Sequence, residues 1–199
     1  KIVLATHNRG KMEEMSAILS HLPVEILTLD SFPQIGDIPE TGETLKENAF
    51  IKAETVHKIT GLPALADDTG LEVDFLNGAP GVHSARFSGE NCSYVDNVNK
   101  LLECLDGVPQ IRRQAIFRTV IAFVDKNREL TTDGFVKGYI SNTAKGVGGF
   151  GYDPVFYVPE LDKTYSEMIM KEKNQISHRG NAIRNMVKLL QSHFSEKFQ

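Results

Sequence analysis

The stretch Ala64–Gly70 reads A-L-A-D-D-T-G, and the other motifs of this chain are best understood in relation to it. Its apolar start, Ala64–Ala66, is typical of a short buried strand. We expect the strand to end on two adjacent acids, Asp67 and Asp68, and a Thr-Gly turn to follow. Neighbouring side chains of a strand point to opposite faces, so a strand that ran through both acids would place their carboxylates on opposite sides of the sheet. Either carboxylate could hold a hard cation or take a proton from water, and a solvated turn is the alternative.

The composition is that of an ordinary globular protein with no global affinity for nucleic acid. A length of 199 residues fits one large domain or two small lobes with a sizeable core. The net charge of −4 excludes a basic surface, so an anionic ligand would need a local group of lysines and arginines. The two cysteines predict neither a metal pair nor a disulfide framework. No run resembles a signal peptide or a membrane span, which predicts a cytoplasmic protein without a membrane partner.

The N-terminal segment has the order strand, glycine-containing turn, helix. Lys1–Thr6 is predicted to form a buried strand, and the turn His7–Lys11 leads into an amphipathic helix. This order aims backbone N–H groups and a helix dipole at an anion. Thr6 and Asn8 add neutral hydrogen-bonding groups, and Lys11 adds a positive charge. The pattern is not that of a Walker loop, and a plain strand-to-helix turn is the alternative.

A second helix begins at a capping box, with Thr44 as N-cap and Glu47 reaching back to it. Asn48 and Lys52 are spaced four residues apart and therefore share one face of this helix. Glu40 lies in the loop just before it. A loop acid and a solvated lysine are the alternative interpretations of Glu40 and Lys52.

The middle of the chain predicts further strands and one more helix. Leu71–Leu76 is predicted to form a strand separate from the first acidic stretch. Ser93 and Asp96 predict a capped helix. Gln114–Asp125 and Glu129–Ile140 predict a long hairpin.

The C-terminal part carries two more motifs. Gly146–Pro154 reads G-V-G-G-F-G-Y-D-P, in which the glycines let backbone approach a ligand while Phe150 and Tyr152 offer flat faces; a set of turns is the alternative. The last helix is predicted to begin after Ser177, which places His178 and Arg179 in its first turn. A cation there opposes the helix dipole, and this conflict indicates a ligand.

Six stretches, taken together, resemble the inosine triphosphate pyrophosphatase family. They run in order from Thr6 to Gly180 and cover nearly the whole chain, which makes the joint match specific although each motif alone is weak. One departure is His7, where the family more often has a small residue. The stretches are T-H-N-R-G-K, E-T-G-E-T-L-K-E-N-A-F-I-K-A, A-D-D-T-G-L, G-A-P-G-V-H-S-A-R, G-G-F-G-Y-D-P-V-F and I-S-H-R-G.

The resemblance implies an α/β fold with an elongated mixed sheet, flanking helices and a single domain of two lobes around a central nucleotide cleft. It implies a homodimer, and Mg²⁺-dependent hydrolysis of ITP, dITP and XTP to the nucleoside monophosphate and pyrophosphate. Two alternatives stay open: a pyrophosphatase for pyrimidine or modified nucleotides on the same fold, and a nucleotide-binding regulator without turnover. Retention of both acids together with Glu40 and Lys52 argues against the regulator, because binding alone does not require a base.

The resemblance also implies a role for each matched site residue. Asp68 would ligate the metal together with Glu40 and act as general base on the attacking water, supported by Asp67. Lys52 would be the third catalytic residue and add positive charge along the triphosphate. Thr69 would contact the substrate. The residues implied at the phosphates are Thr6, His7, Asn8, Arg9, Gly10, Lys11, Lys52 and Lys173. The residues implied at the base are Phe150, Gly151, Tyr152, Asp153, His178 and Arg179.

Overall fold

The computed structural model describes the backbone of residues 1–195 and the side chains of residues 1–192. The α-helices are α1 (Arg9–Leu19), α2 (Leu45–Thr60), α3 (Tyr94–Cys104), α4 (Met170–Ile176) and α5 (His178–Ser195). The strands are β1 (Ile2–Leu4), β2 (Ile26–Thr28), β3 (Ala64–Val73), β4 (Pro80–Gly81), β5 (Gln114–Asp125), β6 (Arg128–Ile140), β7 (Phe156–Val158) and β8 (Lys163–Thr164). Short 3₁₀ turns cover Leu29–Ser31, Asp74–Leu76, Ser84–Arg86, Gln110–Arg112, Pro159–Leu161 and Tyr165–Glu167.

The strands form a mixed sheet in the order β2-β1-β3-β5-β6-β7-β8, with β4 paired to β3. β1 runs parallel to β2 and to β3. The pairs β3–β4, β6–β7 and β7–β8 are antiparallel. The predicted mixed sheet with flanking helices is therefore confirmed.

The chain divides into two compact units. Of the described residues, unit 1 comprises 1–68, 119–134 and 178–195, and unit 2 comprises 69–118 and 135–177. Strands β3, β5 and β6 contribute residues to both units.

Unit 1 has an apolar core on each face of its sheet. In β1, Leu4 packs in a cluster with buried residues of α1 and α5, whereas Val3 packs in a cluster with buried residues of α2. The same alternation continues in β3, where Leu65 joins the first cluster and Ala66 the second. Since the side chains of a strand alternate, the next two positions of β3 must also face opposite helices.

Unit 2 has one apolar core, in which α3 packs against its strands. Val98 and Leu101 of α3 meet Phe117 of β5 and Phe156 of β7 in this cluster. The rings of Phe117 and Phe156 make an edge contact with centroids 4.8 Å apart, a favoured geometry for aromatic pairs. The capping box predicted at Ser93 is present and starts α3.

Two predictions about secondary structure are wrong. β3 does not end at the acids. It continues to Val73, so that Thr69 and Gly70, which were predicted to form a turn, belong to the strand. The predicted strand Leu71–Leu76 is split, because its first half belongs to β3 and Asp74–Leu76 forms a 3₁₀ turn. Helix α4, which immediately precedes α5, was not predicted from the sequence.

Within residues 1–195, no helix has both the length and the apolar character that crossing a membrane requires.

A glycine in β6 lets α5 pack directly on the sheet of unit 1. A Cβ added at Gly134 would clash with the carbonyl oxygen of His178 and the amide nitrogen of Ala182, both of which are backbone atoms of α5. We therefore expect Gly134→Ala to lower the free energy of unfolding by about 1–3 kcal/mol, as overpacking does. Guanidinium unfolding measures this. Gly36→Ala is the control, because a Cβ at Gly36 meets no atom within 4 Å; equal stability of the two variants would contradict the packing of α5.

Candidate functional site

The alternation of β3 places Asp67 and Asp68 on opposite faces of the sheet in unit 1. Asp67 follows the pattern of Leu65 and faces the side of α1 and α5, whereas Asp68 faces α2. Both side chains are buried. The prediction that a strand through both acids would separate their carboxylates is confirmed.

Asp67 is the centre of a buried ion-pair cluster. Its Oδ2 atom accepts a hydrogen bond from Arg179 Nε at 3.1 Å and lies 3.1 Å from Lys11 Nζ. Arg179 also donates through its Nη1 atom to Glu14 of α1. Both Arg179 and Asp67 are almost completely buried. Buried charges are stable only when they are paired and hydrogen-bonded, and each member of this cluster depends on the others.

The charges around Asp67 lower its pKa. Burial alone would raise the pKa of Asp67, but the positive charges of Lys11 and Arg179 outweigh it and hold the pKa well below its usual range. A lowered pKa stabilises the folded protein above the pKa that the group has in the unfolded chain, and this stabilisation is lost as pH falls. Asp67 is thus a permanent anion that stabilises unit 1 at neutral pH.

Asp68 lies in a different electrostatic environment. Its Oδ1 atom is 3.4 Å from Lys52 Nζ, and the same ammonium is 2.6 Å from Glu40 Oε1. Burial raises the pKa of Asp68 above its ordinary value, because the charges of Lys52 and Lys11 offset only part of it. The stabilisation linked to this group is present at low pH and is lost as pH rises through the raised pKa.

Lys52 pairs with the carboxylates of both Glu40 and Asp68. Burial would lower its pKa, but the charges of Asp68, Asp67 and Glu40 raise the pKa above its ordinary value. Lys52 is therefore protonated at neutral pH. Glu40 comes from the loop before α2 and Asp68 from β3, so one ammonium marks a position at which two carboxylates from different elements converge.

The turn between β1 and α1 is ordered by its own side chains. Asn8 is the N-cap of α1, and its side-chain oxygen accepts from the backbone N–H of Lys11 at 3.1 Å. Thr6 Oγ1 accepts from the backbone N–H of Asn8 at 3.2 Å. Gly10 lies in the first turn of the helix. The predicted helix is present, but it begins at Arg9, inside the predicted turn His7–Lys11, and the Asn8 side chain caps it.

Two residues of this turn lie apart from the acids. Arg9 is exposed and pairs with Glu13 one helical turn further on, with a distance of 3.0 Å. His7 is also exposed, and its Nε2 atom is 3.2 Å from the carbonyl oxygen of Gly36. His7 therefore contacts the loop that leads toward Glu40.

Unit 2 contains a separate buried ion pair beneath Phe150. Asp153 Oδ2 accepts from Lys173 Nζ at 2.5 Å and from the backbone N–H of Phe150 at 2.8 Å. The Lys173 ammonium lies 4.8 Å from the ring centroid of Phe150 and 5.4 Å from that of Tyr165, within the range of cation–π contacts. Lys173 thus supports the Phe150 loop in this structure.

Tyr152 is part of the core of unit 2. Its hydroxyl donates to the carbonyl oxygen of Ser84 at 2.9 Å, and burial raises the pKa of this phenol. Gly151 has a φ of 61° beside it, a left-handed conformation that favours glycine. Of the two aromatic residues predicted to offer flat faces, Tyr152 is buried in the core and Phe150 is half-buried.

The structure therefore divides the predicted site residues between the two units. Unit 1 brings six of them into two ion-pair groups, one on each face of β3: Lys11, Asp67 and Arg179 on one face, and Glu40, Lys52 and Asp68 on the other. His178 is buried at the start of α5 in the same unit. The residues of unit 2 are Thr69, Phe150, Gly151, Tyr152, Asp153 and Lys173.

Glu14 is a member of the cluster that the sequence analysis missed. It is buried on α1 and is an ion-pair partner of Arg179. The signal was its position three residues after Lys11 and directly before the buried Met15, on the inward stripe of the helix. Arg179 was predicted to conflict with the dipole of α5. The carboxylates of Asp67 and Glu14 pair with its guanidinium group and compensate this unfavourable interaction.

Comparisons with known proteins give a consistent family. A family model described as the Ham1 family matches residues 2–189. A dITP/XTP pyrophosphatase of Thermoanaerobacter pseudethanolicus is 48% identical over 198 residues, which cover 99% of this chain and 100% of the relative. Among solved structures, a HAM1 protein from Coxiella burnetii has a TM-score of 0.87 at 43% identity, covering 96% of this chain and 98% of that one. The Staphylococcus aureus Ham1 protein has a TM-score of 0.86 at 39% identity with the same coverage. The resemblance stated from the motifs is confirmed.

The two adjacent acids should differ sharply in their effect on stability. Asp67→Asn removes the negative charge that Arg179 and Lys11 share, so we expect the free energy of unfolding at pH 7 to fall by about 3–5 kcal/mol. Asp68→Asn removes a buried carboxylate, but Lys52 keeps its ion pair with Glu40. We therefore expect the free energy of unfolding to change by less than about 1 kcal/mol. Urea unfolding of both variants makes the comparison. Equal losses would contradict the different environments of the two carboxylates.

Proposed function

The chain belongs to the Ham1 family, and on that premise we propose that it hydrolyses ITP, dITP and XTP to the nucleoside monophosphate and pyrophosphate. The observation that carries the proposal is the convergence of Glu40 and Asp68 on the Lys52 ammonium. Two carboxylates and a lysine at one place can hold a divalent cation and a polyphosphate together. The dITP/XTP pyrophosphatase that matches over its whole length supports the substrate class.

The donor set suits Mg²⁺. This ion is usually bound through one or two carboxylates together with water and substrate phosphates, not by a cage made of protein alone. Among the described side chains, those of residues 1–192, no group of three or more His, Cys, Asp or Glu is placed to hold a metal. Glu40 and Asp68 would hold it, and when bound it supplies positive charge to the phosphate oxygens.

Asp68 is the proposed general base. Its carboxylate accepts a proton from the water that attacks the phosphate, and a carboxylate beside a bound cation stays ionised and therefore able to take that proton. Lys52 stabilises the charge that develops on the leaving pyrophosphate, as preorganised cations do. Asp67 supports this arrangement by fixing Lys11 and Arg179 on the other face of β3.

The start of α1 is proposed to bind phosphate oxygens. Its backbone N–H groups and its helix dipole favour an anion, and Lys11 adds a positive charge. Thr6 and Asn8 order the turn, so that these N–H groups keep their direction. Contacts of His7, Arg9, Gly10 and Thr69 with the substrate stay predictions.

Discrimination among purines is proposed to depend on position 6 of the base. Inosine and xanthosine carry a keto oxygen there, which Arg179 or a backbone N–H can satisfy, whereas adenine presents an amino donor. A site built to hydrogen-bond one group strongly rejects an analogue that lacks it. Stacking of the base on Phe150 and contacts with His178 stay predictions.

Dimerisation and a cytoplasmic location also stay predictions. Sedimentation velocity of the purified protein tests dimerisation.

The decisive experiment is an assay of the purified protein with dITP and Mg²⁺. We expect monophosphate and pyrophosphate as products, loss of turnover in EDTA and recovery when Mg²⁺ is added in excess. A panel with ITP, XTP, dATP, dGTP and pyrimidine triphosphates follows. Faster turnover of pyrimidines would favour the alternative pyrophosphatase, and binding of dITP without any product would favour the non-catalytic regulator.

Removing the proposed base should abolish turnover without unfolding the protein. Asp68→Asn keeps the size of the side chain but cannot accept the proton, so we expect kcat to fall by about two to four orders of magnitude. Circular dichroism of the same sample checks the fold. A kcat within threefold of the unsubstituted protein would remove Asp68 from this role.

Glu40→Gln tests the metal ligand. A neutral amide binds Mg²⁺ less well than a carboxylate, so the Mg²⁺ concentration for half-maximal rate should rise about tenfold or more. Titration of Mg²⁺ at fixed dITP measures it. An unchanged requirement would show that Glu40 serves only as the partner of Lys52.

Arg179→Lys tests recognition of the base while keeping a positive charge beside Asp67. If Arg179 donates to the 6-keto oxygen, kcat/KM for dITP should fall by a factor that corresponds to a loss of about 1–3 kcal/mol of transition-state binding. The value of kcat/KM for dATP should fall much less, because dATP does not make this contact. The ratio of the two values is the observable. Glu14→Gln is the control, because it alters the partner of Arg179 without touching the base. An equal fall for both substrates in Arg179→Lys would assign Arg179 to holding Asp67.

A further inference from the structure

Asn48 of α2 is completely buried, and it holds the loop that carries Glu40. Its Oδ1 atom accepts a hydrogen bond from the backbone N–H of Gly42 at 2.8 Å. We propose that Asn48 is a positioning residue that fixes the Glu40 carboxylate and thereby sets the affinity of the site for its divalent cation. The inference rests on the proposed function, in which Glu40 is a metal ligand.

The packing around Gly42 shows how close this tether is. A Cβ added at Gly42 would lie 2.6 Å from Glu47 Cβ and 2.8 Å from Asn48 Oδ1. Only a glycine therefore lets the loop backbone approach the first turn of α2 this closely. The neighbouring N–H groups are held as well, since Glu47 Oε2 accepts from Glu43 at 2.7 Å and from Thr44 at 3.1 Å.

The tether matters because Glu40 lies outside any helix or strand. The position of its carboxylate is fixed by the Lys52 ammonium and by the backbone two residues further on, which Asn48 holds. Asn48 and Lys52 are one helical turn apart on the buried face of α2, so a single helix face controls both the backbone and the carboxylate of Glu40. Partners that orient a metal ligand typically change metal affinity by about 10- to 100-fold.

The chemistry of Asn48 argues against a purely structural role. Its Nδ2 donor is buried and has no hydrogen-bond partner within residues 1–195. A buried donor of this kind lowers stability, and an apolar side chain would avoid that cost. Asn48 uses its acceptor on Gly42, two residues after Glu40, and this bond offsets the cost of burying an amide on the helix face that also carries Lys52.

The test is the binding of Mn²⁺ to the purified full chain without nucleotide, followed by the electron paramagnetic resonance of the free ion. We expect Asn48→Ala to raise the Kd for Mn²⁺ about tenfold, because the acceptor for Gly42 is lost. Asn48→Asp keeps that acceptor and should bind Mn²⁺ at least as tightly as the unsubstituted protein. Thr55→Ala is the matched control on the same helix. The Thr55 hydroxyl donates to the carbonyl oxygen of Ile51 at 2.7 Å, within the helix itself, so this substitution should leave the Kd for Mn²⁺ unchanged.

Two further variants separate the inference from the proposed function. If Glu40→Gln weakens Mn²⁺ binding and Asn48→Ala does not, the role of Asn48 is overturned and the metal site stands. If Glu40→Gln leaves Mn²⁺ binding unchanged, or the unsubstituted protein binds no Mn²⁺, the inference is overturned together with Glu40 as a metal ligand of the free protein; the hydrolysis itself is tested separately by the dITP assay. Gly42→Ala crowds the same bond from the loop side, so it should also weaken Mn²⁺ binding and serves in place of Asn48→Ala if that variant does not fold. Thermal unfolding of each variant shows whether a change in Kd is accompanied by a loss of stability; a Kd that rises only in proportion to lost stability would overturn the positioning role.

Discussion

The alternation of side chains along β3 is the constraint on which the unit 1 site depends. Two acids in succession on a buried strand cannot share an environment, because the backbone directs one to each face of the sheet. Asp67 meets α1 and α5, and Asp68 meets α2. A single strand thereby supplies one carboxylate that pairs with Lys11 and Arg179 and another that pairs with Lys52, to which the proposed function assigns the role of base.

The two environments shift the two pKa values in opposite directions, although both side chains are buried. For Asp67, the charges of Lys11 and Arg179 outweigh the cost of burial. For Asp68, burial prevails over the charge of Lys52. A carboxylate with a lowered pKa is a weak base and a good ion-pair partner, whereas one with a raised pKa is a better base and costs stability. The position that is expensive for folding is the one that the proposed reaction uses, a common relation between stability and activity.

Unit 2 also contains a buried ion pair, and there the pair supports a loop. The pair of Asp153 and Lys173 is as buried as the cluster around Asp67, but it bonds to the backbone of Phe150 and lies against two aromatic rings. A lysine in such a motif is easily assigned to phosphates, because sequence shows its charge and not its partner. The contacts of Lys173 also make it a support for the Phe150 loop, and its role at the phosphates stays a prediction.

The sequence by itself determined the elements with strong local signals. The capping boxes at Thr44 and Ser93, the long strand Gln114–Asp125 and the shared face of Asn48 and Lys52 all follow from interactions within a few residues. Only the tertiary structure decided that β3 runs through both acids, because a strand may continue through Thr and Gly when its neighbours pair with it. It also decided that Glu14 joins Arg179, 165 residues away along the chain, and that Lys173 meets Asp153. Partners of buried charges are chosen by packing between distant elements, and no local pattern records that choice.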